Sequence, residues 1–87
     1  MTTTSDIESV VAQVREVLRQ HGRLTQDITT LSDEAKLSEA GMTSHASVNV
    51  MLALEARFGE IPEHLLTRSV FQSIASIAAA MQSLSAR

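Results

Sequence analysis

Residues 41–62, GMTSHASVNVMLALEARFGEIP, contain the strongest helix pattern in the chain. Thr43 is suited to cap the N-terminus of this helix, because its side-chain oxygen can accept a hydrogen bond from a free backbone N–H. Gly59 is suited to end it. Ser44 then occupies the first helical position and points outward from a loop-to-helix corner. The apolar positions that form a broad stripe along the helix are Val48, Met51, Leu52, Leu54 and Phe58.

Another helix is predicted ahead of this segment. We expect it to begin at Asp6, because the box formed by Ser5 and Glu8 provides reciprocal caps for the first free N–H groups, and to end at Gly22. Its apolar residues recur with the spacing of one helix face. They are Ile7, Val10, Val11, Val14, Val17, Leu18 and Leu24.

The C-terminal part of the chain predicts a short helix and a longer one. Pro62 suits the first turn of a short helical segment over Glu63–Thr67. Ser73 is suited to cap a longer helix over Ile74–Leu84, whose apolar residues again follow helical spacing. No strand pattern occurs. The sequence therefore predicts an all-α fold with three longer helices and one short helix.

Residues Arg23–Gly41 predict a long loop, because Thr, Ser and charged residues surround isolated apolar positions. So long a loop in so small a domain is typically functional or held across the core by its own apolar residues. A short helical turn is expected at Asp33–Lys36. The isolated apolar positions in or beside the loop are Leu24, Ile28, Leu31, Leu37 and Met42.

Size and composition exclude several classes of protein. The 87 residues predict one domain over 1–87, too small to enclose a large enzyme's substrate cleft. The net charge of −3, with basic residues scattered singly, gives no electrostatic footprint for nucleic acid. The N-terminus lacks a secretory pattern, and the weakly polar stretch Ile74–Met81 is too short to span a bilayer. Because cysteine is absent, any thiol chemistry must be imported. We expect a cytoplasmic protein that binds neither nucleic acid nor membranes.

Ordinary catalytic and metal sites are not predicted. Ser44 and His45 are neighbours on a helix and point about 100° apart, so they do not naturally form a nucleophile and base pair. No histidine pair has metal-ligand spacing, and nothing in the pattern buries the acidic loop residues. The side chains set aside on these grounds are His21, His64, Asp33, Glu34 and Glu39. The residues predict a binding module with no catalytic residue and no metal ligand.

Several short motifs, in their order and separation, resemble the acyl and peptidyl carrier protein family. In that family a Gly is followed by a hydrophobic residue, then usually by an Asp, and then by a Ser and a Leu. An apolar helix ending in LExxFG follows, then an Ile-Pro pair and a segment of Phe, a small residue, a hydroxyl residue and Ile. The corresponding residues here are Gly41, Met42, Thr43, Ser44, His45, Leu54, Glu55, Phe58, Gly59, Ile61, Pro62, Phe71, Ser73 and Ile74. The resemblance covers most of the chain and implies an acyl-carrier-protein-like four-helix bundle, with the long loop between helices 1 and 2.

The resemblance implies that Ser44 is the attachment site of 4′-phosphopantetheine, transferred from coenzyme A by a phosphopantetheinyl transferase. The thiol of this arm would hold an acyl or aminoacyl group as a thioester. The implied partners are that transferase, an acyl- or amino acid-activating ligase and a downstream acyltransferase, visited by a monomer. A helix N-terminus suits such a site, because its free N–H groups and dipole favour a phosphodiester. Taken alone, the position of Ser44 is explained by a role in capping the helix.

Two departures from the family pattern indicate a specialised carrier. Thr43 stands where the family usually has Asp, and His45 stands where it usually has Leu. The early outward face of the helix also lacks the acids of fatty-acid carriers, so electrostatic steering to a basic partner is expected to be weak. The segments TSHAS at 43–47 and IPEHLLTRSVFQSI at 61–74 resemble stand-alone bacterial carriers that receive an amino acid from ligases related to seryl-tRNA synthetases. The residues expected near the arm and at partner contacts are Met42, Thr43, His45, Val48, Met51 and Leu65.

Two other functions stay open at this point. One is an unmodified helical adaptor that binds a partner helix through the same surface. The other is a small serine hydrolase, which would turn over esters without a second enzyme. The many alanines of the core stripe fit close helix packing with little room for a long acyl chain, but they are explained equally well by high helix propensity.

Overall fold

The computed structural model describes residues 3–85, which form three α-helices and no strand. Helix α1 spans Thr3–His21, α2 spans Ser44–Phe58 and α3 spans Ile74–Ser85. The predicted all-α fold is confirmed. The predicted ends of α1 at Gly22 and of α2 at Gly59 are also confirmed, since each glycine follows the last helical residue.

The connections between the helices contain single turns of 3₁₀ helix. One such turn, Ile28–Thr30, lies between α1 and α2, and two, Glu63–Leu65 and Val70–Gln72, lie between α2 and α3. The short fourth helix expected over Glu63–Thr67 is therefore a 3₁₀ turn that ends at Leu65. It follows Pro62, whose φ of −60° is compatible with a turn start.

One buried cluster joins the three helices. Helix α1 contributes Val14 and Leu18, and α3 contributes Ile77 and Met81, all with no exposed surface. These pairs are four residues apart, so each pair lies on one face of its helix. Full burial of a Val, Leu, Ile or Met side chain stabilises the folded chain by roughly 1.5–3 kcal/mol. The fully or almost fully buried large side chains are Val14, Val17, Leu18, Leu37, Val50, Leu54, Ile74, Ile77 and Met81.

Helix α2 does not bury the whole stripe expected from its sequence. Its buried residues are Ala46, Val50 and Leu54, whereas Val48 and Leu52 are 51% and 54% exposed. The reason is that α2 is apolar on more than one side, so helical spacing alone does not select the face that packs. Part of the predicted core stripe of α2 is consequently a solvent-facing apolar strip.

The long loop is held across the core, as its apolar residues predict. Ile28, Leu31, Leu37 and Met42 are all at most 9% exposed. Arg15 of α1 secures the outer part of the loop, because its guanidinium donates to Ile28 O at 2.8 Å and Leu31 O at 3.0 Å, and also to Asp33 Oδ1 at 2.6 Å. The loop is thus a fixed part of the fold.

Two local predictions need correction. Helix α1 already includes Thr3, so it extends beyond the start expected at Asp6, because residues 3–5 contain no glycine or proline. The side chain of Ser5, the predicted cap, lies outside the described side chains. The helical turn expected at Asp33–Lys36 is only a hydrogen-bonded turn. The helical turn of this loop lies instead at Ile28–Thr30.

Asp27 explains the position of that 3₁₀ turn. Its carboxylate accepts hydrogen bonds from the backbone N–H of Thr29 at 2.9 Å and from the Thr29 hydroxyl at 2.8 Å. These two bonds favour the charged form and hold the pKa of Asp27 below its ordinary value. The side chain therefore caps the turn, as Asp commonly does at a helix start.

Candidate functional site

Ser44 is the first residue of α2, and its side chain is exposed. The preceding residue, Thr43, has an extended backbone and caps the helix, since its Oγ1 accepts a hydrogen bond from Ala46 N at 3.1 Å. The predicted cap at Thr43 is confirmed. Because Thr43 provides the cap, the Ser44 hydroxyl is presented to solvent at the positive end of the helix dipole.

Gly41 shapes the loop-to-helix corner ahead of Ser44. Its φ of +108° is unfavourable for a residue with a side chain, and a Cβ there would lie 2.8 Å from Thr25 N. Thr25 approaches so closely because both its N–H and its hydroxyl donate to Ala40 O, at 2.8 and 3.0 Å. Met42 N then donates to Leu37 O at 3.0 Å, which closes the turn. Backbone hydrogen bonds thus set the position of Ser44.

Ser44 opens onto a groove of about 590 Å³. One side of this arm groove, as we name it, carries Lys36 and Ser38 from the loop, and the other carries Arg68 and Ser69 from the connection to α3. The residues that line it include no carboxylate; they are Lys36, Ser38, Met42, Ser44, Arg68, Ser69, Phe71 and Gln72. The arm groove is therefore a positively charged surface of mixed polar and apolar lining on a chain of net negative charge.

The two sides of the arm groove are joined by backbone hydrogen bonds. Leu37 N donates to Gln72 O at 2.8 Å, and nearby Ala75 N donates to Asp33 O at 2.8 Å. On the second side, the Ser76 hydroxyl donates to Val70 O at 2.7 Å. Since these bonds link the loop, the 3₁₀ turn and α3, the arm groove is preformed.

Helix α2 presents little negative charge near Ser44. It has no acidic residue in its first turn, and its later acid, Glu55, accepts a hydrogen bond from Ile61 N at 3.2 Å through Oε2. The exposed surface beyond Ser44 is instead the strip of Val48 and Leu52. This surface suits an apolar contact better than a charged one.

The predicted partner residues differ in exposure. Thr43, His45 and Val48 are exposed. Met51 and Leu65 are half-buried and pack against the core. Met42 is only 9% exposed, so it serves mainly as a core residue that also reaches the arm groove.

Sequence reasoning missed four residues of this region. Leu52, which the sequence placed in the apolar stripe of α2, is 54% exposed, and Leu66, to which the sequence assigned no role, is 41% exposed. Lys36 and Arg68 line the arm groove from distant parts of the chain. Only the paired apolar positions 48 and 52, four apart on α2, offered a signal that could have marked an exposed strip.

Two properties of residues 3–85 bear on other functions. No group of three or more His, Asp or Glu side chains in this range is placed to hold a metal ion. None of the helices in the same range has the length and apolar character needed to cross a membrane.

No family model matches the sequence. The chain is, however, 45% identical over 67 residues to the aminoacyl carrier protein of Agrobacterium fabrum (strain C58), and the match covers 76% of this chain and 81% of that protein. The chain belongs to the aminoacyl carrier proteins. The resemblance seen in the sequence is confirmed, and with it the role of carrying an aminoacyl group. Carrier proteins are generally not enzymes themselves.

Solved structures agree with this family. One similar chain comes from the crystal structure of an engineered Bradyrhizobium japonicum glycine:carrier protein ligase complexed with carrier protein from Agrobacterium tumefaciens and AMP. Its TM-score is 0.79 and its sequence identity is 41%, over 83% of this chain and 97% of that one. Another comes from the Bradyrhizobium japonicum ligase complexed with glycylated carrier protein, with a TM-score of 0.63, 32% identity, and coverage of 85% and 96%. The all-α carrier fold is thereby confirmed.

Proposed function

We propose that Ser44 carries 4′-phosphopantetheine and that the arm holds an amino acid for transfer between enzymes. The observation that carries this proposal is the exposed Ser44 hydroxyl at the start of α2, beside a preformed groove that contains Lys36 and Arg68. When bound, the arm supplies a thiol, which the chain lacks because it has no cysteine. The thiol holds the aminoacyl group as a thioester.

The attachment reaction uses the Ser44 oxygen as nucleophile. A phosphopantetheinyl transferase brings coenzyme A to the corner, the serine oxygen forms an ester bond to the phosphorus that bears the pantetheine, and adenosine 3′,5′-bisphosphate leaves. The hydroxyl proton passes to a base of the transferase. The free N–H groups and dipole at the start of α2 favour the negative charge of the new phosphodiester.

The partners follow from the family. An amino acid-activating ligase loads the arm, and a downstream acyltransferase receives the cargo. Glycine is the first amino acid to test, because the similar carrier chain described above is glycylated. We also propose that residues 1–87 act as one carrier domain, monomeric and cytoplasmic, since the arm has to visit several enzymes.

The intact mass of the purified chain tests attachment. After incubation with coenzyme A and a broad-specificity transferase, the chain gains one phosphopantetheinyl group and Ser44→Ala gains none. Ser47→Ala is the matched control, because this serine lies one turn further along α2 and its hydroxyl donates to Thr43 O at 3.0 Å. Ser47→Ala takes up the arm as wild type does.

Far-UV circular dichroism accompanies the mass measurement. Ser44→Ala retains its helicity, because the Ser44 side chain is exposed and Thr43 caps the helix. A folded wild-type chain that takes up no arm from several transferases contradicts the proposal and leaves the adaptor function, through the apolar strip of α2, as the better explanation.

A further inference from the structure

Two basic side chains line the arm groove, Lys36 from the loop and Arg68 from the connection to α3. Both are exposed, and the ion pairs found among residues 3–85 engage Arg15 and Arg19 instead. The lining residues include no acid that would neutralise them. The arm groove thus has positive charge available for an anion.

The proposed attachment atom opens onto the same groove. A phosphodiester formed on Ser44 would stand at the groove mouth, held there by a covalent bond. Because the phosphodiester is bonded to Ser44, its effective concentration at the groove is high. Even a weak contact with a basic side chain is therefore populated. The phosphodiester carries one negative charge at neutral pH, which complements Lys36 and Arg68.

We propose that Lys36 and Arg68 together hold the phosphodiester of the arm, so that the arm lies in the groove between residues 36–38 and 68–72. This inference rests on the proposed attachment at Ser44. The guanidinium of Arg68 can donate two parallel hydrogen bonds to phosphate oxygens, and the ammonium of Lys36 adds a second positive charge. The two side chains position the arm and take no part in its chemistry.

A second groove provides the competing position for the arm. It has a volume of about 490 Å³ and is lined by His21, Asn49, Leu52, Ala53, Ala56 and Arg57. Leu52 lies about 12 Å along α2 from Ser44, at 1.5 Å per residue. This groove is more apolar, and its arginine, Arg57, lies about 20 Å along α2 from Ser44, too far for a phosphodiester attached to Ser44.

A spin label on the arm distinguishes the two positions. Because the chain has no cysteine, a nitroxide maleimide reacts only with the arm thiol of the fully modified protein. We expect its paramagnetic broadening of backbone amides to be strongest at residues 36–38 and 68–72 and weak at residues 52–57. Broadening centred on residues 52–57 overturns the proposal.

Charge-neutralising variants test the role of the two side chains. In the double variant Lys36→Gln and Arg68→Gln, the amides of the arm groove lose most of their broadening, and 0.5 M NaCl has the same effect on wild type. Arg57→Gln is the matched control, since it removes an exposed basic residue of the second groove. It leaves the broadening of the arm groove unchanged.

A second measurement observes Arg68 without a label. The Nε–H resonance of Arg68 shifts between the unmodified and the modified chain, whereas that of Arg57 does not. An unshifted Arg68 resonance, or a double variant with wild-type broadening, overturns this inference alone, because the mass of each sample shows that the arm is attached. A chain that takes up no arm overturns both proposals.

Discussion

At the loop-to-helix corner, Gly41 combines a φ of +108° with a close approach to Thr25. Gly59 has a similar φ of +97°, but a Cβ there would have no atom within 4 Å. Comparing alanine substitutions at the two glycines therefore distinguishes the cost of backbone strain from the cost of a steric clash. Strain alone costs about 1–3 kcal/mol for a residue with a side chain at such a positive φ.

We predict that Gly41→Ala lowers the free energy of unfolding more than Gly59→Ala does. The Gly59→Ala variant loses about 1–3 kcal/mol through strain. The Gly41→Ala variant loses this amount and also displaces the Thr25 backbone, whose N–H donates to Ala40 O. Urea unfolding followed by circular dichroism measures both. Equal losses for the two variants would show that the contact with Thr25 does not restrict the corner.

Thr43 occupies the position where carrier proteins usually have Asp. Thr43→Asp retains an oxygen that can accept from Ala46 N, and it places a negative charge in a first turn that has no acid. We predict an unfolding free energy no lower than that of wild type and faster uptake of phosphopantetheine from a broad-specificity transferase. Thr43→Ala, by comparison, loses about 1 kcal/mol. If Thr43→Asp is modified no faster than wild type, recognition by the transferase does not depend on a carboxylate here.

At the level of the elements, Arg15 joins α1 to the loop. We predict that Arg15→Lys lowers the free energy of unfolding by roughly 1–2 kcal/mol, because one ammonium cannot reach the carbonyls of Ile28 and Leu31 and the carboxylate of Asp33 at once. The ion pair between Arg15 and Asp33 is partly exposed, which keeps the loss of stability within this range.

Arg19→Lys is the control for this prediction. Arg19 pairs with Glu16 on the surface of α1, and hydrogen bonds from Arg19 and Gln20 lower the pKa of Glu16 to about 2. An exposed pair three residues apart on a helix contributes little to stability, so the control stays near wild type in urea unfolding. A similar loss in both variants would mean that Arg15 does not secure the loop.

The helices illustrate what local sequence can predict. The caps at Thr43 and Ser73 and the glycine after α2 depend on neighbouring residues, and the structure has all of them: Ser73 Oγ accepts from Ser76 N at 3.2 Å. The buried face of α2 was predicted only in part, because Val48 and Leu52 have the same spacing as Val50 and Leu54. Which pair is buried depends on α1 and α3.

The candidate site was predictable only where it is continuous in sequence. Ser44 and its cap lie within one motif, so the motif indicated both. Lys36 and Arg68 line one groove because distant segments of the chain meet there, where Leu37 N donates to Gln72 O. No spacing rule in the sequence connects such distant residues, so the arm groove is visible only in the structure.

At the scale of the whole molecule, the surface beside Ser44 is apolar rather than acidic. We predict that a loading ligase contacts Val48 and Leu52, so the double variant Val48→Ser and Leu52→Ser raises its KM for the carrier about tenfold or more, while kcat is unchanged. Ala56→Ser, exposed on the same helix, is the control.

We also predict that the KM of the ligase for the wild-type carrier changes by about twofold or less between 50 and 300 mM NaCl. A steep salt dependence would indicate a charged interface instead.

The most direct test of the aminoacyl carrier function is the intact mass of the modified chain after incubation with ATP and a glycine:carrier protein ligase, in parallel reactions with glycine and other amino acids. We predict a gain of one aminoacyl group beyond the phosphopantetheinyl group, removed by hydroxylamine as a thioester is, and no gain in Ser44→Ala. An arm that is attached but accepts no amino acid, or an amino acid bound equally well by Ser44→Ala, would contradict the function proposed for Ser44.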